Sequence, residues 1–192
     1  MLPNPDEKLD PRVKRTRSLI LSSFESLLAE KGFETISVQD VTDKAQINRA
    51  TFYAHFPDKY ALLDHSISRM FMAEIEKRTL NACHYPPENL RNLILGLCDF
   101  LTHLHTDCAQ PHQQFESLVE GTIKKQIFDL LTYWLRDSKK STTEIPATVA
   151  TWAIYGLASH YSHTKKRPAL EKFVDEALPL VAVNLEQFAV ST

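Results

Sequence analysis

Only four glycines punctuate 192 residues, against roughly 7% in average proteins. Most of this backbone therefore lacks the one residue that turns sharply at little steric cost, which strand-rich folds and phosphate-cradling loops need. Prolines and polar stretches divide the chain instead, at Pro86–Pro87, Gln110–Pro111, Ser138–Pro146 and Lys165–Pro168. Between these breaks the segments 88–106, 112–136, 147–163 and 169–188 are long and apolar on one helical face. No alternating pattern of convincing strand length occurs. The spacing predicts an all-α chain with a small N-terminal unit and a larger C-terminal bundle. Pro179 is expected to kink the last segment or to bound it.

Hydrophobic residues at 43% and charged residues at 24% are ordinary globular usage and exclude a disordered chain. No apolar run approaches the roughly 18 residues that span a bilayer, so no membrane association is expected. Met1 to Asp10 carries Pro3, Pro5 and acids instead of a basic-then-apolar leader, and reads as a mobile arm of a cytoplasmic protein. Cys83, Cys98 and Cys108 form no CxxC pair and read as reduced thiols. A net charge of -2 and a pI near 6.4 exclude a globally basic nucleic-acid binder. Any DNA binding must come from a local patch.

Such a patch is present near the N-terminus. Arg12, Lys14, Arg15 and Arg17 open a segment whose apolar residues Ile20, Phe24, Leu27 and Leu28 share one helical face, and Gly32 is a natural stop. Ser37 and Asp40 have capping-box spacing, and Val38, Val41 and Ala45 form the inner face of a short helix. Asn48 is a good N-cap for the next helix, in which Ala50, Phe52 and Phe56 are expected to face inward. Its polar members Arg49, Thr51, Tyr53 and His55 can donate or accept hydrogen bonds. Pro57 and Asp58 end this helix and start another, running to about Thr79. Two short helices after a longer one have the dimensions of a helix-turn-helix, whose second short helix enters the major groove. From 11 to 60 there are eight basic and six acidic residues, a net of +2. A dimer doubles the phosphate contacts, so this modest charge is compatible with salt-sensitive specific binding.

The run from Ile20 to Leu63 resembles the TetR family of bacterial transcription regulators. Lys31-Gly32-Phe33, Ser37-Val38, Val41, Ala45 and Thr51-Phe52-Tyr53-Ala54-His55-Phe56-Pro57-Asp58-Lys59 carry the likeness. It implies a helix-turn-helix DNA-binding domain at 11–57 and a helical ligand-binding and dimerisation domain at 58–192. It further implies a cytoplasmic homodimer, not an enzyme, that represses from a palindromic operator in double-stranded DNA and is released by a small-molecule effector. By position, Arg49, Thr51 and His55 would lie near the groove-facing side. Tyr53, Lys59 and Ser37 would touch phosphate, beside the cap Asn48. Two departures stand out: Gln46-Ile47-Asn48 replaces a turn that often carries Gly-Val-Ser, which puts an uncomfortable backbone at Gln46, and Ala50 stands where glycine is common.

The resemblance also implies a pocket in the bundle, for which Phe71, Phe100, His103, Phe115, Phe128, Trp134, Trp152 and Tyr155 are candidate lining residues. The dimer faces are expected on 147–163, with the small residues Ala150, Ala153, Gly156 and Ser159 between Trp152, Tyr155 and Leu157, and on 169–188, with Phe173, Val174, Ala177, Val181 and Leu185, the alternative being that these faces only close the monomer core. An alternative reading as a ligand-independent or activating regulator keeps the DNA-binding helices. A metal-responsive sensor using His105, Cys108 and His112 is a further alternative, since imidazole and thiolate suit zinc or copper. His103 and His105 are two apart and point to nearly opposite sides of a helix, and Pro111 breaks the run. No cofactor and no resident metal are therefore expected. No nucleophile elbow, HExxH, P-loop or dinucleotide fingerprint occurs.

Overall fold

A computed structural model describes residues 10–78, 87–107, 113–136 and 143–186. Among them are eight helices: α1 (Pro11–Lys31), α2 (Val38–Ala45), α3 (Arg49–His55), α4 (Lys59–Arg78), α5 (Pro87–Asp107), α6 (Gln113–Leu135), α7 (Glu144–His163) and α8 (Leu170–Glu186). Cys83, Cys108 and His112 lie outside the described residues, and so does the metal reading that needs the last two.

The helix boundaries follow from local chemistry. Asp10 caps α1 by accepting the Arg12 N–H at 2.8 Å, with Pro11 in the first position, where its missing N–H costs nothing. Gly32 ends α1 at φ 74°, and its N–H donates to the Leu28 carbonyl. The capping box of α2 is complete. Asp40 N–H donates to Ser37 Oγ at 3.1 Å, and Ser37 N–H donates to the Asp40 carboxylate at 2.7 Å. Asp40 also pairs with Lys31 at 2.9 Å. The Ser37 bonds, then Lys31, hold its carboxyl far below the usual carboxylate range.

Gln46 ends α2 in the left-handed region, at φ 54° and ψ 45°, while the Ile47 N–H reaches back to the Thr42 carbonyl at 3.0 Å. A side chain with a Cβ is strained there by about 1 kcal/mol. Gln46→Gly is accordingly expected to raise stability by about 0.5–1 kcal/mol, less than the full strain because glycine also loosens the unfolded chain. Thermal or urea unfolding of the pair checks this, and a loss of stability in the glycine variant would contradict it.

Three expectations are corrected. Ala50 is exposed, because it lies two residues, or about 200°, from the fully buried Phe52 on a helix of 3.6 residues per turn. Pro146 sits inside the first turn of α7 instead of preceding it, where its nitrogen has no carbonyl to bond. Of the two expectations for Pro179, a kink or a boundary, the boundary is not met, and α8 runs through it to Glu186. The cost of the lost bond is offset by burial of Val174, Ala177, Val181 and Leu185 on the same helix.

α1, α2 and α3 pack through Ile20, Phe24, Leu28, Val41 and Phe52. The remaining helices form the bundle, with α5 against α4, α7 and α8, and α6 against α4 and α7. α4 is shared by both halves. Its Ser66 hydroxyl donates to Glu25 of α1 at 3.1 Å, and Arg69 pairs with the same carboxylate. On its other side, Thr122 of α6 donates to Asp64 at 2.7 Å and Gln126 to Ser68 at 3.3 Å. A second bridge is aromatic: Phe33, in the turn after α1, meets Phe115 of α6 with ring centroids 6.1 Å apart.

Candidate nucleic-acid interface and effector clefts

Asn48 starts α3 by accepting from both the Thr51 N–H, at 2.7 Å, and the Thr51 hydroxyl, at 2.9 Å. Phe52, fully buried, and Phe56 hold the inner face of α3, with ring centroids 6.1 Å apart. That anchoring leaves Arg49, Ala50, Tyr53 and Ala54 exposed as one outer face. Tyr53 is 52% exposed, with its ring edge-on to Phe52 at 5.4 Å. The outer face thus carries one cation and one phenol a turn apart, with Ala50 and Ala54 beside them, where a groove can approach the helix backbone closely. Arg12, Lys14 and Arg15 are exposed at the start of α1.

The other sequence candidates are placed differently. The Ser37 hydroxyl is engaged with Asp40, and Thr51 is half-buried with its proton committed to Asn48. His55 is half-buried at the end of α3. Burial, and then the Arg17 charge, lower its pKa, so it is a neutral ring at neutral pH. Arg17 lies over the Phe56 ring at 4.8 Å and 3.3 Å from His65 Nδ1, at the junction of α3 and α4. Lys59 differs most. Its ammonium donates to the carbonyls of Phe33, Glu34 and Ile36 at 3.2, 3.2 and 2.9 Å, and lies 4.6 Å above the Phe33 ring. All three of its N–H bonds face the protein's own turn rather than an external phosphate.

The bundle aromatics do not share one pocket. Phe100 and His103 line an apolar cleft with Glu25, Leu28, Met70 and Leu104, between α1, α4 and α5. Phe71 is buried behind it, its ring 5.6 Å from Phe100. Phe115 and Tyr155 line a separate, more polar cleft among α5, α6 and α7. His103 and His105 therefore belong to different clefts, as their spacing requires. Trp134 is buried in the core and Phe128 is packed against it. Trp152 is 61% exposed, with the Lys124 ammonium 3.1 Å from its ring centroid.

The residues named on the expected dimer faces divide: Ala150, Val174, Ala177, Val181 and Leu185 close the protomer's own core, whereas Gly156 is exposed and Ala153, Ser159 and Phe173 are half-buried. The exposed apolar residues of the last two helices are instead Ile145, Val149 and Trp152 on α7, and Leu180 and Val183 on α8. Spacings of four, three and three residues keep each set on one stripe. Small residues marked close packing in the sequence but not which side of the helix it occupied. No helix among the described residues is long and apolar enough to cross a membrane.

Comparison with known proteins places this geometry among relatives. Residues 20–65 match the family model for bacterial regulatory proteins of the tetR family. The HTH-type transcriptional regulator YxbF of Bacillus subtilis is 38% identical over 76 residues, which are 39% of this chain and 20% of that protein. YdeS of the same organism, another HTH-type transcriptional regulator, is 36% identical over 53 residues, covering 28% of this chain and 27% of that one. The likeness to these curated relatives thus spans only about a fifth to a quarter of their length. Among solved structures, a TetR-family regulator of Streptomyces coelicolor superimposes with a TM-score of 0.63 at 14% identity, over 95% of this chain and 98% of that one. RolR in complex with resorcinol gives 0.54 at 16% identity, over 94% and 96%. FadR of Bacillus subtilis in complex with stearoyl-CoA gives 0.52 at 15% identity, over 87% and 98%. These structural likenesses carry the fold.

Proposed function

This chain belongs to the TetR family of bacterial regulatory proteins, and from that premise we propose that it is a homodimeric repressor released from a palindromic operator by a small molecule. The observation that carries the reading is the outer face of α3. Its inner face is locked by Phe52 and Phe56, and Arg49 and Tyr53, one turn apart, project beside the exposed Ala50 and Ala54. In this reading Arg49 reads a base edge and Tyr53 contacts a phosphate. Thr51 and His55 flank them, Ser37 and Asn48 fix the two helix starts, and Lys59 positions the turn. The exposed stripe on α7 and α8 meets its own copy across a two-fold axis, setting the recognition helices about 34–36 Å apart.

The effector site of this reading is the cleft between α1, α4 and α5, because its walls come from both halves of the chain. A molecule wedged there favours one relative placement of α1 and α5, and so shifts the population of DNA-competent dimers. RolR and FadR, crystallised with resorcinol and stearoyl-CoA, show that neighbours of this fold hold ligands of very different size.

Selection of bound fragments from sheared genomic DNA at near-physiological salt tests the proposal. An enriched short inverted repeat is expected. Arg49→Ala should weaken binding to that repeat by about 1–3 kcal/mol per half-site, with folding unchanged. No enrichment by folded, dimeric protein, with or without cell extract, would overturn the reading.

A further inference from the structure

The polar cleft among α5, α6 and α7 is used by neither the DNA-binding reading nor its effector site. It brings together His105 of α5, Glu116 of α6 and His163 of α7, with one ligand atom from each within 4.8 Å of the others. The two imidazole rings are 4.5 Å apart between centroids. His163 Nδ1 lies 2.8 Å from the Ser159 carbonyl. Placing the proton there makes Nδ1 the donor and leaves Nε2 with a free lone pair, the second-sphere arrangement typical of metal-bound histidine. His105 Nδ1 is shielded from solvent and has no hydrogen-bond partner among the described residues. A buried ring nitrogen left so is costly unless something else satisfies it.

The size of the cleft narrows the class of ligand. Its volume is about 90 Å³, on a measure in which one water needs roughly 10–15 Å³. An ion with a few waters fits that space, which is smaller than the cleft between α1, α4 and α5, at about 130 Å³. Two imidazoles and one carboxylate favour a borderline transition metal over magnesium or calcium, which prefer all-oxygen shells.

We propose that His105, Glu116 and His163 bind one divalent transition-metal ion of the zinc class, with a fourth position open to water in the cleft that Glu120 and Tyr155 also line. Tetrahedral bonds of roughly 2.0–2.1 Å put donor atoms roughly 3.3 Å apart, so the three side chains close by no more than about 1.5 Å. The ion then ties α5, α6 and α7 at a single point. The sequence offers no motif for this site, because the ligands are 11 and 47 residues apart on three helices and meet only in the folded bundle.

The test is titration of the full-length, tag-free chain with Zn²⁺ against a chromophoric chelator, alongside metal analysis after dialysis. One Zn²⁺ per chain is expected. His105→Ala, Glu116→Gln and His163→Ala should each weaken binding by about 100-fold or more, since even outer-shell changes cost 10–100-fold. His160→Ala, on the exposed side of α7, should leave affinity unchanged. Circular dichroism melts of the metal-free variants separate lost ligation from lost folding, with His163→Gln as a milder substitute should His163→Ala unfold. The Co²⁺ form should show a nitrogen- and oxygen-ligated spectrum without a thiolate charge-transfer band. Failure of the native chain to bind, affinity untouched by the three variants, or a thiolate band would each overturn the proposal. Because none of these readouts involves DNA, the outcome is independent of the regulator reading.

Discussion

Lys59→Ala is expected to lower stability by about 2–4 kcal/mol. Hydrogen bonds to a charged group contribute about 1.5–3 kcal/mol each, and three that share one ammonium add less than fully. The ring of Phe33 beneath it adds about 0.5–1 kcal/mol. Against the 5–15 kcal/mol typical of a whole domain this is a large share. Lys59→Met keeps most of the aliphatic stem and should lose nearly as much, because the bonds to Phe33, Glu34 and Ile36 carry the effect. DNA binding separates this role from direct phosphate contact. A phosphate-contacting lysine, once removed, flattens the dependence of log K on log salt by about 0.9 per contact, twice over in a dimer. A positioning lysine leaves that slope unchanged at temperatures where the variant is still folded. Unchanged melting together with a flatter slope would assign Lys59 to the phosphates after all.

Trp152→Glu is expected to convert the proposed dimer to monomers at micromolar concentration. Trp152 is the largest exposed apolar side chain on the α7 and α8 stripe, and a buried aromatic anchor is commonly worth about 2 kcal/mol or more at an interface. Two-fold symmetry introduces the change twice, giving about 4 kcal/mol and roughly a thousand-fold weaker association. Val183→Glu on the neighbouring helix should act in the same direction with the protomer fold intact. Sedimentation equilibrium checks both. A dimer that survives both substitutions would place the two-fold axis elsewhere.

What could be read in the sequence was mainly what neighbouring residues decide. Ser37 with Asp40, Asn48, and Gly32 after Lys31 are helix-end signals whose partners lie within four residues, and each is realised in the structure. The unfavourable backbone at Gln46 was legible only through the resemblance, whose turn often carries glycine there. What depends on the third dimension could not. Lys59 had the position of a phosphate contact, but its carbonyl partners are 23 to 26 residues away in sequence, in a turn whose path spacing does not specify. The bundle aromatics were identifiable as apolar faces, yet whether such a residue lines a cleft, as Phe100 does, or fills the core, as Trp134 does, depends on how five helices tilt. His105 was noticed beside its sequence neighbours Cys108 and His112, whereas Glu116 and His163 reach it only through packing.

The place of α4 between the two halves has a mechanical consequence. At 1.5 Å per residue its 20 residues make a rod of roughly 30 Å. It is pinned to α1 through Glu25 and to α6 through Asp64 and Ser68. A tilt of about 6° pivoting at the Arg78 end sweeps the Lys59 end through about 3 Å. Lys59 holds the turn between α1 and α2, and α3 packs on α2, so in the proposed reading each recognition helix travels with it. In a two-fold dimer the separation then changes by up to about 6 Å, a sizeable part of the 34–36 Å between successive major grooves. In the proposed reading, small repacking in the cleft between α1, α4 and α5 would in this way be geared up to a displacement that DNA can register.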